Sequence, residues 1–298
     1  MDYEGQICRP STEKGSFMLP VAVGCIYNQC TFCTFFKHVR YRLIPVDQVE
    51  AELRRVRDLG GNPEKVFLGD GNAFSMETSR LLHIVEIIKR YFPNCRMINM
   101  DATVTDIRNK TDEELRRLRM SGIRRLYLGI ECGLDDVLSF MRKDHNKEQA
   151  HEQILRMRAA GLVYNAHIMT GICGKGRGVE NAGELAAFFN RARPERIINF
   201  SLFLQKSAPL YQDISAGRFT PADEVENLLE ARRLLELLEP EPLFYDGFHD
   251  YLGIRVWGAL PRERQNMLLR LDKAIAEHSR QPPSVAYVGP CFPADCSC

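Results

Sequence analysis

Apolar and polar positions alternate with two different periods along this chain, and the switches between them mark out its elements. Short apolar runs lie at Leu19–Val23, Lys65–Leu68, Arg96–Met100, Arg125–Ile130, Val163–Met169 and Ile197–Phe203, and each reads as a strand. Helical spacing separates them. One helix starts near Val46, with Val49, Leu53 and Val56 on one face and Gly60-Gly61 as its stop. Ser75–Tyr91 follows, ended by Pro93, with Ser75 as its cap if the segment before it is a plain strand-to-helix turn. The capping box Thr111-Asp112-Glu113-Glu114 opens a third helix, which Gly122 closes. Glu148–Ala160 and about Val179–Arg191 complete the series. Six strand–helix units at roughly thirty-residue spacing predict an α/β fold, a parallel sheet with helices outside, either open or curled into a partial barrel. Such sheets bind ligands at the carboxyl ends of their strands, so the residues after each strand are the candidates for chemistry.

Past Phe203 the pattern changes. Thr220-Pro221 predicts the cap of an amphipathic helix running to about Leu238, with Val225, Leu228, Leu229 and Leu235 facing the core. A last helix covers roughly Glu263–His278. From Gln281 onward four prolines and three cysteines, without helical period, read as an extended tail. The chain thus divides into an N-terminal segment (1–17), a core (18–205), a C-terminal helical extension (206–280) and a Cys/Pro-rich tail (281–298).

Composition narrows the function classes. The 298 residues carry 40 basic and 39 acidic side chains, so no global field draws the chain to nucleic acid or an anionic membrane. Gly15–Phe36 is uncharged and long enough to span a bilayer, yet Pro20, Asn28, Gln29 and three cysteines make it a poor membrane helix. Met1–Pro10 lacks the apolar core of a secretory signal, and the expected location is the cytoplasm, where clustered thiols are reduced and more often metal ligands than disulfides.

Ten cysteines are the informative feature. Cys25, Cys30 and Cys33 follow the first strand with CxxxxCxxC spacing, on the loop where such a fold places its active site. Three thiolates can hold three irons of a [4Fe–4S] cluster and leave the fourth iron open to a ligand. Two other readings stay open from these residues alone: a zinc site completed by His38, and buried thiols.

The loop resembles the cluster-binding loop of the radical S-adenosylmethionine (radical SAM) superfamily. The usual spacing there is CxxxCxxC with an aromatic before the last cysteine; Phe32 fills that place, and one extra residue separates Cys25 from Cys30. Leu68-Gly69-Asp70-Gly71-Asn72 stands where the family has its glycine-rich motif, whose backbone approaches the SAM amino group. Gly129-Ile130-Glu131-Cys132-Gly133 is similar to the family's G-x-E-S-G segment, with cysteine replacing serine. His167-Ile168-Met169-Thr170-Gly171 matches the strand that ends beside the adenine. Gly174-Lys175-Gly176-Arg177-Gly178 lacks the order of a phosphate loop and resembles an uncharacterised branch of the superfamily.

The resemblance implies a partial (β/α)6 TIM-like barrel holding a [4Fe–4S] cluster on Cys25, Cys30 and Cys33 and SAM near Phe32, Gly69, Asp70, Gly71, Glu131 and Gly171. It implies reductive cleavage of SAM to a 5′-deoxyadenosyl radical that abstracts hydrogen from a small-molecule or peptide-like substrate. An electron donor such as flavodoxin or ferredoxin is the implied partner. Cys291, Cys296 and Cys298 are candidates for a second metal centre. No side chain is singled out as catalytic; His249, Trp257 and Tyr245 in the extension read as structural, and Cys132 as packing or a thiol near the reaction centre. The alternatives are a zinc-stabilised α/β binding protein and a nucleic-acid-modifying enzyme of the same chemistry, the latter disfavoured by the balanced charge.

Overall fold

A computed structural model of the chain describes Glu4, residues 9–239 and residues 242–288. In chain order the first elements are β1 (Phe17–Gly24), β2 (Arg42–Leu43), α1 (Val46–Asp58), β3 (Lys65–Gly71), α2 (Thr78–Tyr91), β4 (Met97–Ala102), α3 (Val104–Arg108), α4 (Asp112–Ser121) and β5 (Ile123–Glu131). They are followed by α5 (Asp135–Phe140), α6 (Lys147–Ala159), β6 (Val163–Thr170), α7 (Gly178–Ala192), β7 (Arg196–Ser201) and β8 (Leu204–Gln205). The last are α8 (Leu210–Ser215), α9 (Glu224–Leu237), β9 (Leu243–His249), β10 (Ile254–Leu260), α10 (Arg264–His278) and β11 (Tyr287–Val288). The chain forms two compact units.

The first unit comprises Met1–Asn28, Phe35–Gly129 and Glu148–Asn165. Its strands lie in the order β2-β1-β3-β4-β5, parallel except for the short edge strand β2. β1 and β3 are buried along nearly their whole length, as strands covered on both faces are. Helices α1, α2 and α4 bury Leu53, Leu81, Ile84, Ile88, Leu115 and Leu118. The Thr111–Glu114 capping box forms as expected, and Gly122 closes α4 with φ of +117°. Ser75 does not cap α2. It lies in a short 3-10 turn, donates to the Asn72 carbonyl at 2.6 Å, and leaves α2 to start at Thr78.

The second unit comprises Gln29–Thr34, Ile130–Lys147 and Ala166–Cys298. Here β6, β7, β9 and β10 lie side by side, with β7 parallel to β9 and β9 antiparallel to β10. The extension is therefore not only helical: it adds a β9–β10 hairpin to the sheet. One face of that hairpin carries a cross-strand ladder. Phe200 stacks on Phe248 at 5.4 Å, and the Arg255 guanidinium lies 4.6 Å over the Phe248 ring. Trp257 stacks on Phe244 at 6.2 Å.

Helix α9 is capped by Asp223 through a capping box with Glu226, not by Thr220-Pro221. Its buried face holds Leu228, Ala231, Leu234 and Leu235 together with Asn227 and Glu230, while Leu229 is 40% exposed. The expected apolar stripe is thus shifted to admit three polar groups, Glu224 among them. The start of the tail is extended, and β11 pairs in parallel with β8.

Candidate active site

Each strand end that the sequence singled out has a backbone reason for its residues. Gly24 ends β1 with φ of +83°. Gly71, at the end of β3, pairs with it, and a Cβ on Gly71 would run into the Gly24 carbonyl oxygen. A Cβ on Gly69 would lie 2.5 Å from the Met18 side chain. These glycines let β1 and β3 close on each other. Between them Asp70 is buried with φ of +63°, and its carboxylate accepts from the Glu4 backbone N–H at 3.2 Å. Glu131, the last residue of β5, also has φ of +63°. Left-handed backbone at a non-glycine residue costs of order 1 kcal/mol or more, and such strain collects at functional sites.

Cys25, Cys30 and Cys33 are thiols, each half-buried, on the irregular loop after β1. Asn28, in the first unit, holds φ of +44°; its backbone N–H lies 3.4 Å from Cys25 Sγ, and its amide donates to the Phe36 carbonyl at 2.9 Å. Gln29–Thr34 is tied into the second unit. There the Thr31 N–H donates to the Met141 carbonyl at 3.0 Å, and the Thr31 carbonyl accepts from the Leu210 N–H at 2.9 Å. Phe32 packs against the buried cluster around Cys132, Leu134, Leu138 and Ile172. Among the described residues, no three His, Cys, Asp or Glu side chains are gathered as a metal-ligand set. His38 is exposed. Three thiols on one irregular loop, one of them accepting a backbone N–H, are nonetheless the donor set that a site-open iron–sulfur cluster uses. Cys291, Cys296 and Cys298 lie outside the described residues.

One residue the sequence did not single out belongs to this region. Lys143 is buried in the second unit, with Nζ 3.5 Å from Glu131 Oε1 and 4.0 Å from Asp144 Oδ1. Burial works against its charge, but Cys30, Glu131 and Asp144 outweigh that effect, and its pKa is raised. Asp144 in turn lies 2.9 Å from His145 Nδ1. On β6, burial and the Lys143 charge push His167 down to about 4, so its imidazole is neutral at physiological pH. Gly171 ends that region with φ of +82°; a Cβ there would meet Asn227 Oδ1 at 2.5 Å. Its N–H donates to Glu230 at 2.9 Å. Gly171 is thus explained by the approach of α9.

Fold and site together describe a parallel-sheet α/β protein with its candidate chemistry in the segments after its strands, led by a three-cysteine loop. Residues 19–186 match the radical SAM superfamily, and the chain belongs to that superfamily. The heme chaperone HemW of Buchnera aphidicola subsp. Schizaphis graminum is 24% identical over 197 residues, 63% of this chain and 50% of its own length. Biotin synthase of Aquifex aeolicus is 26% identical over 184 residues, 59% of this chain and 52% of its own. The chain therefore spans about half the length of these curated relatives. Among solved structures, methylornithine synthase (PylB) superposes with a TM-score of 0.55 at 14% identity, covering 95% of this chain and 73% of that one. Coproporphyrinogen III oxidase (HemN) from Escherichia coli gives 0.52 at 13%, covering 89% and 52%. At such identities the likeness is one of fold, and it is the TIM-like partial-barrel class expected from the motifs. No helix among the described residues is long and apolar enough to cross a membrane.

Proposed function

We propose that this chain is a radical SAM enzyme in which Cys25, Cys30 and Cys33 hold a [4Fe–4S] cluster and Glu131, with the backbone around Gly69–Gly71, receives SAM. Gly171, whose N–H and carbonyl are both partnered, drops out of that set. The observation that carries the reading is the three-cysteine loop at the end of β1, inside the segment that matches the superfamily. When bound, the cluster and SAM supply the one-electron chemistry that yields a 5′-deoxyadenosyl radical. The chain's own groups prepare the setting. Lys143 places a buried positive charge among Cys30, Glu131 and Asp144 and offsets the charge that deprotonated thiols bring. Glu131, its backbone held in a strained conformation, presents a carboxylate able to accept from hydroxyl or amino groups. His167, neutral, lines the same region without adding charge.

The substrate is proposed to be a small molecule or peptide-like, the electron donor a flavodoxin or ferredoxin, and the location cytoplasmic. The competing reading is a zinc-stabilised binding protein. Anaerobic reconstitution separates the two. About four irons per chain and 5′-deoxyadenosine formed from SAM under reductant are expected, both lost in Cys30→Ala. Stoichiometric zinc without SAM cleavage would reject the enzyme.

A further inference from the structure

Two cysteines with no part in the iron site lie together in the second unit. Cys132 Sγ and Cys173 Sγ are 3.2 Å apart; both are thiols, and they are 0% and 7% exposed. Cys132 follows Glu131 on the segment leaving β5, and Cys173 lies just beyond Gly171, which follows β6. Around them the polar groups are organised. Cys132 Sγ donates to Asn181 Oδ1 at 3.3 Å, and the Leu134 N–H donates to Cys132 Sγ at the same distance. Asn181 Oδ1 also accepts from the Gly133 N–H at 2.7 Å, and its amide donates to Glu230 at 2.6 Å. Glu230 then accepts from the Gly171 N–H, so one hydrogen-bond chain joins the two cysteine-bearing segments. Phe32 of the iron-site loop packs on the same cluster.

We propose that Cys132 and Cys173 are a redox modification site, a dithiol that closes to a disulfide when a hydroperoxide reaches it. Cys173 has the surface contact, and its sulfur is the nucleophile that attacks the peroxide oxygen. Its thiol takes one oxygen from the peroxide to give a sulfenic acid, releasing water or the corresponding alcohol. The Cys132 sulfur then displaces the hydroxyl, the S–S bond forms, and the Cys132 proton leaves with the hydroxyl as a second water. Two thiols lose two electrons and two protons, and the O–O bond accepts them. The sulfurs must approach from 3.2 Å to about 2.0 Å. The Cys132 contact and burial push the Cys173 thiol up, so little of it is thiolate and its oxidation by peroxide is slow. The bridge would fasten the segment after Glu131 to the segment after Gly171 beneath Phe32, and it would remove the S–H donor that Asn181 now receives.

The test is peptide mapping of the folded 298-residue chain, treated with hydrogen peroxide, alkylated and digested with trypsin. Cleavage after Arg125, Arg142, Arg158 and Lys175 gives peptides 126–142 and 159–175, each with a single cysteine. The expected product is these two joined, two hydrogens lighter than their sum and separated again by dithiothreitol. Cys132→Ser and Cys173→Ser should each abolish it. The proposal is overturned if both peptides stay unlinked at peroxide levels that already modify Cys25, Cys30 or Cys33, or if the joined pair forms only in chain unfolded by urea. The readout is independent of iron and of SAM cleavage, so it stands or falls apart from the proposed enzymatic function.

Discussion

Lys143 is the residue whose loss should be felt most. Its Nζ lies 3.5 Å from Glu131, and both side chains are largely buried. Removing one partner of a buried pair leaves the other charge uncompensated, which costs roughly 3 kcal/mol. Lys143→Met should lower the denaturation midpoint accordingly and reduce iron retained on reconstitution. A Lys143→Met/Glu131→Gln double variant should lose less stability than the two single losses summed. At Gly71 the limit is steric. Gly71→Ala puts a methyl against the Gly24 carbonyl, and backbone cannot step aside as a side-chain tip can. A loss of about 1–3 kcal/mol is expected in chemical denaturation. Glu131 and Gly71 were legible from their motifs. Lys143 was not, because a basic residue in Met-Arg-Lys-Asp-His reads as an exposed turn, and only tertiary burial sets it apart.

The elements show where local signals held and where packing overrode them. Alternating strands and helices up to Ser201 follow the sequence pattern, since each parallel strand is a short apolar run between capped helices. The β9–β10 hairpin is not among the expected elements, and its Asp246-Gly247 pair is of a kind common in turns. In the structure that pair lies inside β9, where Gly247 leaves room for the Tyr245 ring and Asp246 takes two hydrogen bonds from Arg255 at 2.9 and 3.0 Å. The start of α9 was misplaced for a similar reason: Thr220-Pro221 is an acceptable cap, but Asp223 has Glu226 three residues on to complete the box. Asp223→Ala should therefore destabilise the chain by about 1 kcal/mol, measured as a lowered thermal midpoint, whereas Thr220→Ala should leave α9 unaffected.

Across the whole molecule, buried carboxyls give stability an unusual dependence on pH. Burial pushes Glu230 from 4.5 up to about 7, against the hydrogen bonds from Gly171 and Asn181 that favour its charge. The unfolded chain releases this proton at lower pH than the folded one does. Its contribution is therefore complete below about 4.5 and is lost as pH rises through about 7, with a span of up to about 3 kcal/mol. Asp101 and Glu224 are pushed up to about 7 in the same way, so Glu230→Gln should flatten the decline between about pH 5 and 8 without abolishing it. Denaturant midpoints across that range give the slope. The sequence places Glu224 and Glu230 on a helix and leaves Asp101 just past a strand, but it does not show that Glu224 and Glu230 are buried.

Trp257 is the only tryptophan in the chain; it is 50% exposed and stacked on Phe244 at the outer strand of the hairpin. Tryptophan emission, excited where tyrosine does not absorb, is consequently a single-site signal, and it originates entirely in the second unit. Far-ultraviolet dichroism, by contrast, sums the helices of both. An unfolding curve followed by light emission and one followed by dichroism thus interrogate different parts of the same chain. Their coincidence or separation measures whether the two units share one cooperative transition.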